Sequence, residues 1–417
     1  MTQLECKFKS GIAVFCLALM TLVFAGNAWA DMSADALEQE ALRERVASMD
    51  ERLSLLERFK WFGDFRLRYE GKDRDGTNIT TNDADGNMDT QRTRIRFRLG
   101  AKVHLYDDMD FKFRLSTGGN VATSGNQTLD NTSGQKTVDI NLAYLEWRPD
   151  PFVFLGGKFG VPFWKSEVVW DSDVTMEGIA EKFVKEFGAN TKLALTFAQT
   201  VVEETDRVNP NGAVGPADDL WLASYQAMLE QKTDLGKFKV AIAFYDYQNV
   251  KGANITNENG NGIDQKNSHV NARDELTTNM RILDVMGEWG LNFMGKPLNL
   301  FAEYAQNTDA DAPAGNGQLA QDLDTAWQAG FKYGKVKKFL DYEIKAMYRV
   351  VQQDAVFYAF ADSDFHDGGV NSKGWELGAK VGLRPGLYLD VTHWITEAER
   401  GPKYDMTMTQ LDLIAKF

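Results

Sequence analysis

The sequence predicts an all-β transmembrane barrel of about 16 antiparallel strands, preceded by a short N-terminal coiled-coil helix. Three observations carry this expectation. Apolar and polar residues alternate with period two along most of the chain, the connections between alternating stretches are by turns long and short, and an export signal stands at the N-terminus.

The export signal comes first in the chain. Lys7 and Lys9 precede the apolar run "GIAVFCLALMTLVFAG", and "AWA" at residues 28–30 is a small-x-small cleavage site, so residues 1–30 read as a signal peptide and the mature chain is expected to start at Asp31. The run is short for a membrane-spanning helix and passes directly into the cleavage pattern. Cys6 and Cys16 are the only cysteines and both fall inside it, which leaves a mature chain without a disulfide, a thiolate metal site or a cysteine nucleophile. Losing Glu5, Lys7 and Lys9 moves the formal charge from -14 to about -15 by the same counting, and so acidic a chain is a poor partner for nucleic acid. After residue 30 no apolar run approaches ~18 residues, so a spanning helix is excluded. A membrane barrel is not, because its lipid-facing residues sit at alternate positions and look polar on any running average.

Residues 31–59 form the second element. Between Ser33 and Arg58 there is no Gly or Pro, and Ala, Leu, Glu, Arg and Met dominate, all good helix formers. Leu42, Val46, Met49, Leu53 and Leu56 are spaced by four, three, four and three residues, the seam of a coiled coil, with Ser33 expected as its N-cap. A helix of this length is marginal alone. Two readings stay open, a parallel trimer stalk and a single amphipathic helix packed on its own domain.

Residues 60–417 form the third element. In "GDFRLRYEG" Phe65, Leu67 and Tyr69 oppose Asp64, Arg66, Arg68 and Glu70, and in "MDFKFRLS" Phe111, Phe113 and Leu115 oppose Asp110, Lys112, Arg114 and Ser116. Such strands have one apolar and one charged face. Polar stretches rich in Asn, Asp and Gly lie near 72–90, 118–136, 161–177, 203–218, 250–275, 308–322, 352–372 and 398–403. Between them stand the short turns "YDDMD", "PDP", "GAN", "KTDLGK", "LNFMGK", "GKVKK" and "RPG". Long loops at one end and tight turns at the other are the arrangement of an outer-membrane barrel, with loops outside the cell and both chain ends in the periplasm. Trp61, Phe62, Tyr106, Trp147, Phe152, Trp289 and Trp394 fall near expected strand ends, where an interfacial girdle belongs. The chain stops on Phe417, at the end of an alternating strand. A soluble β-sandwich would show no such ordering of its loops.

The segments "AYLEWRPDPFVFLGGKFGVPF", "VVWDSDVTMEG", "PLNLFAEYAQN", "DSDFHDGGVNSKGWELGAKVGL" and "LDLIAKF", in that order, make the chain resemble the putative porins of Gram-negative outer membranes that carry an N-terminal coiled coil. The resemblance runs from the coiled coil to the last residue. It implies passive diffusion of small polar solutes or ions and a homotrimer in contact with lipid and lipopolysaccharide. It also implies a terminal Phe417 read by the barrel-assembly machinery; no cofactor is expected.

Within such a barrel the stretch "RTRIRFRLG" has one allowed register. Arg facing lipid near the midplane costs roughly 2 to 4 kcal/mol, so Arg92, Arg94, Arg96 and Arg98 must point into the lumen. With Arg66, Arg68, Lys112 and Arg114 on the neighbouring strands they make a basic, pore-lining wall. Counter-charges are expected from the third long loop, through Glu167, Asp171, Asp173 and Glu177. Its Trp164, Val168, Val169 and Trp170 would be odd on a solvated tip. By analogy with general porins this loop is placed inside the barrel as a constriction.

Other chemistry is weaker. His104, His269, His366 and His393 lack partners at any family-specific spacing, so a hydrolase triad is not supported and the chain is not expected to be an enzyme. "NDADGNMDT" and "DSDFHDGG" are acidic, but neither has the full spacing of a calcium loop, and no metal site is expected. The competing function is a non-conducting tether or adhesin that binds partners through its coiled coil and outer loops.

Overall fold

The computed structural model describes residues 31–76, 89–119, 121–204, 219–253, 276–311, 323–400 and 404–417, in two units that divide after Glu57. The first unit is one helix, α1 (Asp31–Glu57). It already runs at Ser33, so this residue sits inside the helix instead of capping it. Leu42, Val46, Met49, Leu53 and Leu56 are all exposed in the single chain and form an apolar seam along the helix.

The second unit is a sheet whose alternation makes strands and whose turns make hairpins. Its strands are β1 (Phe59–Gly76), β2 (Thr90–Tyr106), β3 (Met109–Thr117), β4 (Val138–Trp147), β5 (Phe152–Gly160), β6 (Thr175–Phe187), β7 (Thr191–Glu203) and β8 (Leu220–Thr233). They continue as β9 (Gly236–Gln248), β10 (Met280–Phe293), β11 (Lys296–Asn307), β12 (Thr325–Gly334), β13 (Tyr342–Val351), β14 (Ser372–Arg384), β15 (Leu387–Ala398) and β16 (Tyr404–Lys416). Each pairs antiparallel with its neighbour in sequence, and β1 pairs with both β2 and β16, so the 16 strands close on themselves. A two-residue piece, Gln127–Thr128, adds to β2 beside Arg94 and Ile95, above the point where β3 ends. All seven short turns fall where the sequence placed them.

Closure leaves no free edge, which a lipid environment requires because unpaired backbone amides have no water to bond. At the closing seam Leu67 faces Leu413 on one side of the sheet, and Arg68 faces Asp412 on the other with two bonds of 2.8 Å. Outward residues such as Phe65, Leu67, Tyr69, Trp61, Trp147 and Phe152 are exposed. Trp394 departs from the expected girdle. It has the inward parity on β15 and packs with Phe365, Met406 and Met408.

The seam ends on Phe417. Its amide and carbonyl exchange hydrogen bonds of 3.1 and 3.0 Å with Gly63. Its ring lies where a Cβ on Gly63 would stand, 2.7 Å away, with the Arg98 carbonyl oxygen at 2.5 Å on the other side. Only a glycine allows so close an approach. Deleting Phe417 should therefore cost about 1 kcal/mol for each of two hydrogen bonds plus the ring contact, and G63V should open the same rung. Both should lower the temperature at which the folded barrel loses its fast mobility on a detergent gel. A midpoint equal to the wild type in both would refute this account of closure.

Candidate functional site

The basic stretch of β2 lies beside β1 with Arg96 opposite Arg66, Arg94 opposite Arg68, Arg92 opposite Glu70 and Arg98 opposite Asp64. Like charges facing across a pair of strands are destabilising unless acids intervene. Asp64 accepts from Arg96 at 3.1 Å and Arg98 at 2.7 Å, and Glu70 accepts from Arg92 at 2.6 Å. Lower on the wall Lys112 pairs with Glu146 at 2.6 Å, and Arg114 donates to Asn141 at 2.6 Å, with no carboxylate partner among the described residues.

The segment 161–174 between β5 and β6 reaches strands nearly opposite one another on the ring. At one end the Trp164 amide donates to the Gln226 side chain at 2.9 Å and its carbonyl accepts from the same amide at 2.7 Å, on β8. Ser166 bonds Glu303 of β11, and Trp170 sets its ring edge-on to Tyr245 of β9 at 5.3 Å. At the other end Asp173 accepts from Arg96 at 3.2 Å and Arg98 at 3.3 Å, both on β2. A single segment can touch both walls only by crossing the bore, so the faces it meets are the inner ones. Asp64 and Asp173 share the same two guanidiniums, and this ring of four charges fastens the loop to the wall.

The segment 352–371 also turns inward. Phe357 and Phe360 pack against Tyr247 and Trp170, and together with Val168, Val169, Leu222, Met280 and Ile282 they bury an apolar core inside the barrel. Trp170 is 0% exposed. Burying a side chain of this size stabilises by roughly 1.5 to 3 kcal/mol, which explains why apolar residues occupy these loops. The acids of the same segment take wall cations. Asp362 pairs with Arg349 at 2.7 Å, Asp364 with Arg68 at 3.3 Å, and Asp367 with Lys72 at 2.8 Å and Arg74 at 2.6 Å. The acids of "DSDFHDGG" are taken up by these internal pairs, while "NDADGNMDT" lies outside the described residues apart from its last two.

Arg66, Arg68, Arg92, Arg94, Arg96, Arg98, Lys112 and Arg114 thus all share the inner face. Asp171 and Asp173 lie in the crossing loop, as does Glu167, which stands 3.8 Å from Lys345. Glu167, Asp362 and Glu376 approach one another closely, but Lys345 and Arg349 sit among them as counter-ions. Glu177 is a correction. The loop ends at Val174, and β6 starts early enough to turn Met176 and Ala180 into the inner core. That parity sends Glu177 to the outer face, paired with Lys158. Among the histidines, His104 meets Asp110 at 3.0 Å, His366 meets Thr396 at 3.0 Å and His393 meets Thr409 at 2.8 Å, while His269 lies outside the described residues. The part of 352–371 was not foreseen. Its signal was the apolar run Ala355 to Phe360, as out of place in a solvated loop as Trp164 and Trp170.

The family model described as "Putative porin" matches residues 80–275 and 254–417. No curated protein matches the chain. Among solved structures, OprB of Pseudomonas putida at high pH is 13% identical with a TM-score of 0.55, over 88% of this chain and 96% of that one. The outer membrane channel DcaP of Acinetobacter baumannii is 13% identical with a TM-score of 0.49, over 86% and 97%. OmpF of Salmonella typhi, in complex with daunomycin, is 11% identical with a TM-score of 0.48, over 86% and 97%. At such identity the likeness to OprB is one of fold.

The two inward segments are joined at Asp171. Its amide donates to the Phe360 carbonyl at 2.7 Å, and its carboxyl accepts from the amides of Asp173 at 2.8 Å and Ser363 at 2.9 Å. Burial, and then the nearby Asp362 carboxylate, push Asp171 up to about 8. Burial opposes Asp173 ionising as well, yet Arg96 and Arg98 hold it below the ordinary carboxylate range. The sign for Asp171 follows from linkage. A carboxyl raised in the folded state stabilises the contact fully below its ordinary value, and that contribution is lost as pH rises toward and through the shifted value. Current through the purified barrel should therefore become noisier between about pH 5 and about pH 9 as the two loops part. D171N, which stays neutral, should weaken that dependence and leave only the part carried by Asp362, itself pushed up to about 7 by burial. A D171N barrel with the wild-type pH profile would reject the assignment.

Proposed function

The chain belongs to the putative porin family, and we propose that its barrel passes small hydrophilic solutes and ions by passive diffusion, through a bore narrowed by segment 161–174. Porins are channels and not enzymes, and a barrel of this kind resides in the outer membrane of a Gram-negative bacterium. The observation that carries the proposal is the crossing of the bore. One loop is pinned by Gln226, Glu303 and Tyr245 on one wall and by Arg96 and Arg98 on the other. Solutes would pass beside this crossing, along Glu167 of the loop and the cationic wall of Arg66, Arg68, Arg92, Arg94, Arg96, Arg98, Lys112 and Arg114, sorted by size and charge, while Asp171 and Asp173 fasten the loop in place. Glu177 has no place in that constriction.

The remaining parts fit the same reading. The seam Leu42, Val46, Met49, Leu53 and Leu56 would associate in a parallel trimer as a periplasmic coiled coil, in residues 31–59 of a chain whose first 30 residues are a signal peptide and whose residues 60–417 are the barrel. A trimer of barrels would sit among lipid and lipopolysaccharide, and Phe417 would be the residue read by the barrel-assembly machinery. A non-conducting tether or adhesin is the alternative.

Planar-bilayer recording of the purified full chain decides between them, since a porin conducts in discrete steps and a tether does not. D173N tests the constriction. Removing one partner of a buried ion pair costs roughly 3 to 5 kcal/mol, so one end of the loop should come loose and single-channel conductance should rise. Unchanged conductance in a folded D173N barrel would show that the loop does not set the bore.

A further inference from the structure

Around much of the ring the strands turn apolar side chains outward. Near the middle of β9, β10 and β14 these are Ile242, Val285 and Leu377, all exposed. β6 departs from this. Glu181 stands midway along it, six residues from either end of Thr175–Phe187, with Phe154 opposite on β5 and Phe197 opposite on β7. Its neighbour Ala180 belongs to the interior core, so the Glu181 carboxylate points away from the bore, and it is exposed. On β7 the exposed Gln199 shares this outward face, one outward rung along, opposite Ile179. Among the described residues neither side chain makes an ion pair or a hydrogen bond. By contrast His393, also outward near the middle of its strand, is bonded to Thr409 at 2.8 Å within the chain. An ionisable side chain at this depth is costly unless it is paired. The partner of Glu181 must therefore come from outside its own chain.

The surroundings suit a protein surface. Beside Glu181 the outer face sinks into a hollow of about 550 Å³, where the small Ala227 lies between Leu195 and Ile242, with Phe183, Phe197 and Tyr225 around it. On the other side Gly156 and Gly160 of β5 face outward and leave open space where a Cβ would stand, so a second backbone can come close. Acyl tails can fill a hollow but offer nothing to a carboxylate. A second copy of this chain offers both. Rotation about the membrane normal keeps every group at its own depth, and the Gln199 amide, one rung from Glu181, donates to carboxylates. Higher on the same face Lys158 and Glu177 present both signs of charge, so two such faces meet with complementary groups. The exposed seam of α1 is an independent sign that copies meet.

We propose that the outer face of β5 to β7, centred on Glu181 and Gln199, packs against a second copy of the chain within the bilayer. The proposal rests on the reading of the chain as an assembly of barrels, which it deepens by naming the strands that meet. Lipid is thereby excluded from the one stretch of β6 where a carboxylate faces outward at mid-strand.

In a C6S, C16S background a cysteine added to the barrel is the only one in the chain. E181C and L377C are each labelled with a thiol-reactive bimane, and the purified full chain is reconstituted into bilayers of phosphatidylcholine with brominated acyl chains, which quench a fluorophore they touch. Leu377 is the control, eight strands away on the far side of the ring. Quenching of the label at 377 and its loss at 181 are the expected result. Equal quenching at the two positions overturns the proposal, because the face then meets lipid. Where E181C loses the fast mobility of the folded barrel on a detergent gel, Q199C takes its place with the same two outcomes. Bilayer current of the labelled chains is read alongside. A conducting chain quenched at 181 overturns the contact face and leaves the channel standing, whereas a non-conducting chain shielded at 181 supports the face and overturns the channel.

Discussion

A closed sheet in lipid has only two faces, and the period of the strand assigns every side chain to one of them. This constraint governs the rest of the molecule. Backbone amides must all be paired, so the sheet closes, and once it closes the charged member of each alternating pair has nowhere to go but inward. Ile95, Phe97 and Leu99 facing lipid therefore force Arg94, Arg96 and Arg98 into the bore, where repulsion must be answered by acids. Asp64, Glu70 and Asp412 supply that answer from the neighbouring strands.

Answering the charge from the wall alone does not suffice, and the loops complete it. Asp173 arrives from 161–174, and Asp364 and Asp367 arrive from 352–371. Each carboxylate brings its loop with it, and a loop held in the bore must also bury what its backbone and apolar side chains present. Hence the second, interior core of Trp170, Phe357 and Tyr245 with their neighbours. Ionic contacts on the β1 and β2 side, and hydrogen bonds together with apolar contacts on the β8 to β11 side, are two anchors of one plug. The distribution is physically reasonable, since an apolar anchor needs no counter-charge and an ionic one specifies direction.

Much of this was legible in the sequence because it is local. Hairpins, tight turns, strand faces and the inward register of the arginines follow from period two and turn residues read over ten positions at a time. The odd apolar residues of 161–174 marked that loop as buried. What was not legible depends on distant pairing. Asp364 meets Arg68 and Asp367 meets Arg74 across most of the chain, and no spacing encodes such a contact, so the acidic loop gave no sign of its partners. Trp394 and Glu177 were misplaced by a smaller cause. Face is fixed by parity, and parity depends on where the strand begins, which for β6 is set by Met176 and Ala180 entering the core.

The choice of arginine over lysine on this wall has the same origin. Arg96 and Arg98 each reach both Asp64 on the adjacent strand and Asp173 on the crossing loop. A lysine offers a point charge on a flexible stem, whereas a guanidinium presents several donors in a fixed plane and can bridge two carboxylates at once. Bridging matters here because it makes the loop's anchorage depend on a wall pair that exists without it. Asp64, on the adjacent strand, orients the two guanidiniums that Asp173 of the loop also meets. A wall of lysines could balance the same charge, but it would leave the position of the loop to chance.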